Sequence, residues 1–383
     1  MKTLKALGLA AAAALAAAQV GGAHAEQTLN IGFTGPLSGG AALYGENTLS
    51  GLRMAIEDVN AAGGIKIGDE TYKVNLISLD DKYSPAQAAT NAKRLVKESQ
   101  AAAVFVPHTG GVFALQDFNV ADDFLIMAYT SVPAVTRQGN PLTVRIPPEF
   151  SNYVSSFSDY AMQHFGKKLG IAGATHEYAK IWTEMMSQTW EQKGGEIVAS
   201  NPMDYNKSTD FYTGVSRVIA ANPDVMFVGG ASEPTGLVMQ QARQLGFQGG
   251  FIVMDQAKLD EIAVVTGGLD LLEGAIGVVP LSEYDNEIAQ AFVERYKKAH
   301  GKVPGSEAAY NYLAFHALAK AMELAGSTEP QQVRAKMAEA ITAMEPQYNL
   351  YAIQGMSDDG GFITPTTMAV VEQGKIVRKA VAN

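Results

Sequence analysis

Short β-rich runs alternate with amphipathic helical stretches along this chain, and the alternation restarts once near the middle. Residues 28–33 have the composition of a strand and run into the loop 34–40. From about Gly45 to Ala62, Leu49, Leu52, Met54, Ala55, Ile56 and Val59 crowd one helical face, and Gly63-Gly64 stops the helix. A strand is predicted over 74–79, with Asp80-Asp81 at its end. Ser84-Pro85 sets an N-cap before a proline at the first helical position, so a helix is predicted to about Glu98. Two further strands, 102–106 and 124–128, flank another helix. After Pro147-Pro148 the pattern begins again. Helices are predicted over 151–164 and 179–193, and strands over 169–174, 197–200, 225–228, 251–253 and 278–280. Three helices, near 288–300, 308–325 and 330–341, precede a hairpin region at 351–377.

Such alternation predicts an α/β protein built on parallel sheets with helices on both faces, in which ligands sit beyond the carboxyl ends of the strands. The 358 residues that follow position 25 exceed what one hydrophobic core usually holds, so two lobes are expected. The long helical section after the second run implies that the lobes exchange chain.

The N-terminus addresses the compartment. Lys2 and Lys5 precede an apolar run from Ala6 to about Ala18, and Ala23-His24-Ala25 has the small-x-small pattern read by signal peptidase. An export signal cleaved after Ala25 is therefore expected, with delivery to the periplasm. No later segment reaches the ~18 apolar residues needed to span a bilayer. The absence of cysteine removes a lipid anchor, disulfides, thiol nucleophiles and thiolate metal sites. The formal charge is −10, which disfavours nucleic acid and anionic lipid as partners.

Catalytic readings fail on spacing. His176-Glu177 lacks the second histidine of a zinc-protease helix, and the six scattered histidines form no ligand set. Gly35-Pro36-Leu37-Ser38-Gly39-Gly40 has no glycine two residues before its serine, as a nucleophile elbow requires. No phosphate loop is present, and no Gly-x-Gly-x-x-Gly follows the first strand. Neither a catalytic residue, a metal ion nor a cofactor is expected.

Several stretches, in order, are similar to the type I periplasmic binding proteins of the branched-chain amino acid transport group. They are Ile31-Gly-Phe-Thr-Gly-Pro-Leu-Ser-Gly39, Asp58-Val-Asn-Ala-Ala-Gly-Gly64, Leu79-Asp-Asp-Lys-Tyr-Ser-Pro-Ala-Gln-Ala-Ala89, Pro223-Asp-Val-Met-Phe-Val-Gly-Gly230 and Gln240-Gln-Ala-Arg-Gln-Leu-Gly246. The resemblance implies two Rossmann-like lobes joined by three hinge crossings, with the ligand between them. One lobe would hold 26–145 and 281–345, the other 146–280 and 346–383.

It also implies which loop residues meet the ligand. Tyr44 stands where relatives carry an aromatic. His108, Thr109, Gly110 and Gly111 occupy the loop that binds a ligand carboxylate. Here the two glycines replace the expected hydroxyls, leaving backbone amides, Thr109 or His108 as donors. Thr130 and Ser131 match hydroxyl ligands at a strand end, and Tyr178 matches a tyrosine that closes over the solute. Asp255 stands where amino-acid binders place an acid for the ammonium, although it also suits a helix cap. Asp80-Asp81 is expected to organise its loop, and Tyr310 and Tyr312 to pack.

The expected role is thus capture of a small solute, an amino acid (branched-chain or similar) or related carboxylate, by hinge closure of a monomer serving the membrane permease of an ABC transporter. An amine-free aromatic or aliphatic carboxylate or small amide, presentation to a chemotaxis or signalling sensor, and a secreted α/β hydrolase are the alternatives.

Overall fold

Apolar runs buried on both faces assemble two sheets. The computed structural model describes residues 27–381, so the expected export signal at 1–25 lies outside the described residues. The first sheet joins β1 (Gln27–Gly35), β2 (Ile65–Ile67), β3 (Glu70–Asp80), β4 (Ala103–Val106), β5 (Leu125–Ala128) and β6 (Thr143–Arg145), ordered β2-β3-β1-β4-β5-β6. The second strand set begins with β7 (Lys168–Ile171), β8 (Glu196–Ser200), β9 (Val225–Val228), β10 (Gly250–Val253) and β11 (Ala275–Val278). A separate ribbon of β12 (Gly355–Met356) and β13 (Phe362–Ile363) follows. Finally β14 (Thr367–Glu372) and β15 (Lys375–Ala380) complete the second sheet as β15-β14-β11-β10-β9-β7-β8.

The centres of both sheets are parallel, as the alternation predicts, but the edges are not. β2 pairs antiparallel with β3, β14 with β11, and β15 with β14. The parallel pairing expected for the sheets holds at their centres, and antiparallel strands are added at the edges, where β2–β3 and β14–β15 are joined by two-residue turns too short for a parallel crossover. Gln373 and Gly374 both take positive φ, 53° and 70°, as the tight turn before β15 requires.

The helices are α1 (Ala42–Ala61), α2 (Pro85–Lys97), α3 (Thr109–Gln116), α4 (Ala134–Arg137), α5 (Ser151–His164), α6 (Glu177–Gln192), α7 (Tyr212–Ile219), α8 (Ser232–Gln244), α9 (Leu259–Thr266), α10 (Glu287–His300), α11 (Ser306–Ala325) and α12 (Pro330–Ala343). The cap at the start of α2 forms as expected: Ser84 Oγ accepts from the Gln87 N–H at 3.4 Å, with Pro85 in the first turn. None of these helices is long and apolar enough to cross a membrane.

Side-chain alternation explains how one sheet serves two cores. In β4 and β5, Val104, Val106, Ile126 and Ala128 join one apolar cluster, while Ala103, Phe105, Leu125 and Met127 join the other. The second cluster also takes residues of α1, α10, α11 and α12. The chain therefore leaves the second sheet after β11, packs three helices on the first, and returns for β14. With the passage through Pro147-Pro148, that makes three crossings. Gly51 lets α1 and α11 touch, since a Cβ there would stand 1.9 Å from the Ala308 carbonyl oxygen.

Candidate ligand-binding cleft

Where the carboxyl ends of the two sheets face one another, a cavity opens. Its walls come from the segments after β4 (Pro107 to Thr109), β5 (Tyr129 to Ser131) and β10 (Asp255, Gln256, Lys258), and from the crossings at Pro147-Pro148 and Val278-Val279. This is the position that parallel α/β sheets reserve for ligands.

Asp255 is the focal charge. Its Oδ1 accepts from the Ser131 hydroxyl at 2.9 Å, the Tyr178 hydroxyl at 2.5 Å and the Trp182 indole N–H at 2.9 Å. Among the described residues no donor is assigned to Oδ2. Ser131 follows a strand of the first sheet, whereas Tyr178 and Trp182 ride on α6 beside the second, so one oxygen ties the two halves together. The Tyr178 hydroxyl accepts in turn from the Gln256 N–H at 2.9 Å, which aims its proton at Asp255. Burial, then the neighbouring Asp255 charge, raises Tyr178 well above the usual phenol range and keeps it a donor. The alternative of a helix cap does not describe Asp255: α9 opens at Leu259 with Lys258 in the cap position. Lys258, 3% exposed, donates to the carbonyls of Asp255 (2.6 Å) and Gln256 (3.0 Å) and also lines the cavity. An ammonium has three N–H groups, so the wall presents an acid and a cation together.

Thr109 and Thr130 meet through their hydroxyls at 2.6 Å. Two hydroxyls carry two protons and use one between them, so the other is available to an acceptor in the cavity. The expectation for the two glycines is corrected. Neither Gly110 nor Gly111 lines the cavity. The Gly111 N–H donates to His108 Nδ1 at 3.0 Å, and a Cβ on Gly110 would lie 2.8 Å from Pro85 Cγ. They serve the helix start and its packing. His108 does line the cavity, but with its ring alone. Nδ1 accepts from Gly111, so Nε2 carries the proton toward Asp81 Oδ2 at 2.9 Å.

Asp80 and Asp81 behave as loop organisers. Asp80 accepts from the N–H groups of Leu37 and Lys82 and from Ser38, and Asp81 accepts from Thr34 and the Tyr83 N–H. Tyr44 lines the cavity through its ring, its hydroxyl donating to the Pro107 carbonyl at 2.8 Å.

The sequence reading missed much of the aromatic wall. Ring centroids run from Tyr44 to Tyr129 (6.0 Å), Tyr129 to Tyr310 (6.0 Å), Tyr310 to Tyr351 (3.8 Å, stacked) and Tyr351 to Tyr284 (5.0 Å, edge-on). Tyr310, expected to pack, lines the cavity. Tyr312 instead donates to Asp58 at 2.7 Å beside Arg295. Tyr129 could have been found as the residue directly before Thr130. Gln256 likewise adjoins Asp255, whereas Tyr153 and Lys258 carried no comparable sign.

Other contacts also hold the halves together. The Gly40 N–H donates to the Asn206 carbonyl at 3.1 Å. Tyr83 lies between His108 and His176, with centroids at 4.7 and 4.9 Å, and Gln256 donates to its hydroxyl at 3.0 Å. Burial pushes His176 down to about 3. Asn47 of α1 donates to Glu261 of α9 at 2.9 Å and to Glu307 of α11 at 3.0 Å, while Ser232 donates to the other Glu261 oxygen. Burial first, then the Glu307 charge, raises Glu261 well above the ordinary carboxylate range.

A family model described as periplasmic binding protein matches residues 28–375. Among curated relatives, an amino acid binding protein of Pseudomonas aeruginosa is 29% identical over 311 residues, covering 80% of this chain and 81% of its own length. The fold is that of the branched-chain amino acid transporter substrate binding protein LivJ of Streptococcus pneumoniae in complex with isoleucine. The TM-score is 0.77 at 21% identity, over 93% of this chain and 99% of that one. A solute binding protein of an ABC transporter from R. palustris, in complex with benzoate, matches with a TM-score of 0.78 at 17% identity, over 92% of this chain and 96% of that one.

Proposed function

Because the chain belongs to the periplasmic binding protein family, we propose that it captures an amino acid or related small carboxylate between its lobes for the permease of an ABC transporter. The observation that carries this reading is Asp255, whose Oδ1 takes three donors while Oδ2 is left to the cavity. A carboxylate in a closed cleft is costly unless paired, and a ligand ammonium on Oδ2 would supply the partner. Lys258 and the spare proton of the Thr109–Thr130 pair suit the carboxylate of the same molecule. The P. aeruginosa relative is named for amino acid binding, and the S. pneumoniae structure holds isoleucine; both agree with this reading.

In this scheme residues 26–145 with 281–345 and residues 146–280 with 346–383 are the moving bodies, and 1–25 directs export. Solute settles first on Thr109, Thr130 and Ser131. Hinge closure then brings Tyr178 and Asp255 onto it and excludes water. Only contacts absent from the open form favour closure, and the Ser131–Asp255 bond is of that kind.

A second reading, an amine-free aromatic or aliphatic acid, is favoured by the ring-built wall and by the three donors that already serve Asp255. The R. palustris neighbour, with its benzoate, is consistent with it. A thermal-shift screen of refolded, ligand-free protein against amino acids, short amides and carboxylates near 1 mM separates the two. A ligand with Kd of ~1 μM stabilises the native state by about 4 kcal/mol. A strong shift with amino acids is the expected result. Shifts with amine-free acids alone would select the second reading, and silence across the panel would reject capture of either class.

A further inference from the structure

We propose that the cleft selects a ligand whose tail, away from its ammonium or carboxylate end, carries an oxygen- or nitrogen-bearing hydrogen-bonding group. The tail is thus not a purely aliphatic side chain. This rests on the solute-capture reading above and narrows its substrate class.

The argument begins with the tyrosine hydroxyls that face the cavity. Four of them are already used within the protein: Tyr44 donates to Pro107 O at 2.8 Å, Tyr83 accepts from Gln256 at 3.0 Å, Tyr178 donates to Asp255 at 2.5 Å and Tyr351 to Ser306 O at 3.4 Å. Tyr129, Tyr153 and Tyr310 differ. They are 5%, 4% and 7% exposed and line the same cavity, yet no partner for any of their hydroxyls exists among the described residues. None of the three oxygens is among the fully enclosed unpaired atoms, so each hydroxyl opens on the cavity, where a tyrosine normally finds a hydrogen-bond partner.

Placement adds to this. Tyr129 and Tyr310 stand on the first-sheet side with centroids 6.0 Å apart, and Tyr153 lies on α5, the helix entered from Pro147-Pro148, which packs on β10, β11 and β14 of the second sheet. A tail gripped by all three is therefore met from both lobes, and the contact from Tyr153 is made on closure. Burial also raises all three well above the usual phenol range, so they remain neutral groups able to donate and accept.

An aliphatic tail would displace water from these hydroxyls and return nothing. Sites built to hydrogen-bond a ligand reject the analogue that lacks the group far more strongly than an apolar pocket distinguishes one methylene. Three unsatisfied hydroxyls in one small cavity thus act as a filter on the tail.

The test is a set of matched pairs differing by one polar atom: valine against threonine, phenylalanine against tyrosine, and benzoate against 4-hydroxybenzoate. Each is titrated calorimetrically into refolded protein. In at least one pair the polar member should bind ten-fold or more tightly. Tyr153→Phe and Tyr310→Phe, each removing a single oxygen and keeping the ring, should shrink that preference to less than about three-fold. Aliphatic members that bind as tightly as their polar counterparts would overturn the tail filter while leaving solute capture intact. A preference untouched by both variants would overturn the assignment to these tyrosines. Failure of every compound to bind would overturn the capture of amino acids and carboxylates, and the filter with it.

Discussion

Asp255→Ala is expected to weaken amino-acid binding at least ten-fold, the equivalent of about 1.4 kcal/mol. Two losses add. The ligand ammonium loses its only proposed anionic partner, and the donors from Ser131, Tyr178 and Trp182 lose the oxygen on which they converge. Truncating one side of a buried charged pair costs more than the pair itself contributes, because the groups left behind are unsatisfied. Asp255→Asn separates the two causes. It keeps an acceptor for the three donors but removes the charge, so an ammonium role predicts that it binds amino acids nearly as poorly as the alanine variant. Near-normal affinity in Asp255→Asn would reduce Asp255 to a tie between the lobes. Isothermal titration of both variants, with an amine-free acid as the control ligand, reads the difference directly.

The second large effect concerns pH. Glu261 meets Asn47 and Glu307 from the first-sheet side, and Ser232, Asp260 and Lys258 from its own. Opening would part it from Asn47 and Glu307 and return it toward its ordinary value of 4.5. The closed form therefore binds more protons, and closure weakens as pH rises from 4.5 through the raised value. His176 acts in the opposite sense. Its ordinary value of 6.5 falls to about 3 when closed, so closure is unimpaired above 6.5 and weakens as pH falls toward 3. Affinity is expected to peak in mildly acidic solution and to decline on either side, with a limiting slope for one proton of about ten-fold per pH unit. Glu261→Gln should flatten the alkaline limb and leave the acid limb in place. An alkaline limb unchanged in that variant would remove Glu261 from the closing equilibrium.

Most of the architecture was legible because it is written locally. Ser84-Pro85 starts a helix by capping chemistry alone, and the helix at 151–164 was readable to its last residue. β2 and β6, three residues each, were not: so short a run has no measurable period, and its strand character comes from pairing with β3 and β5. The strand expected at 278–280 lies at Ala275–Val278, displaced toward the apolar residues that pair with β10.

The site divides along the same line. Thr130, Ser131 and Asp255 could be named because each follows a strand, where the topology itself creates the opening. Tyr153 and Tyr310 could not. Both sit in helices whose apolar spacing reads as core, and only the folding back of the chain across the hinge turns them toward a cavity. Gly110 and Gly111 show the opposite failure: a motif suggested anion binding, yet the His108 ring takes the Gly111 amide and Gly110 packs against Pro85.

The indole of Trp182 touches the very carboxylate on which capture is proposed to turn, and the chain has two tryptophans in all. The other, Trp190, lies on the same helix and donates to the Lys167 carbonyl at 2.9 Å. One fluorophore thus stands at the charged centre of the cleft and a second, away from it, serves as an internal reference. Any solute that neutralises Asp255 alters the field at the first and spares the second. The unlabelled protein is in this sense an optical gauge of its own occupancy, one that can be followed on the time scale of closure.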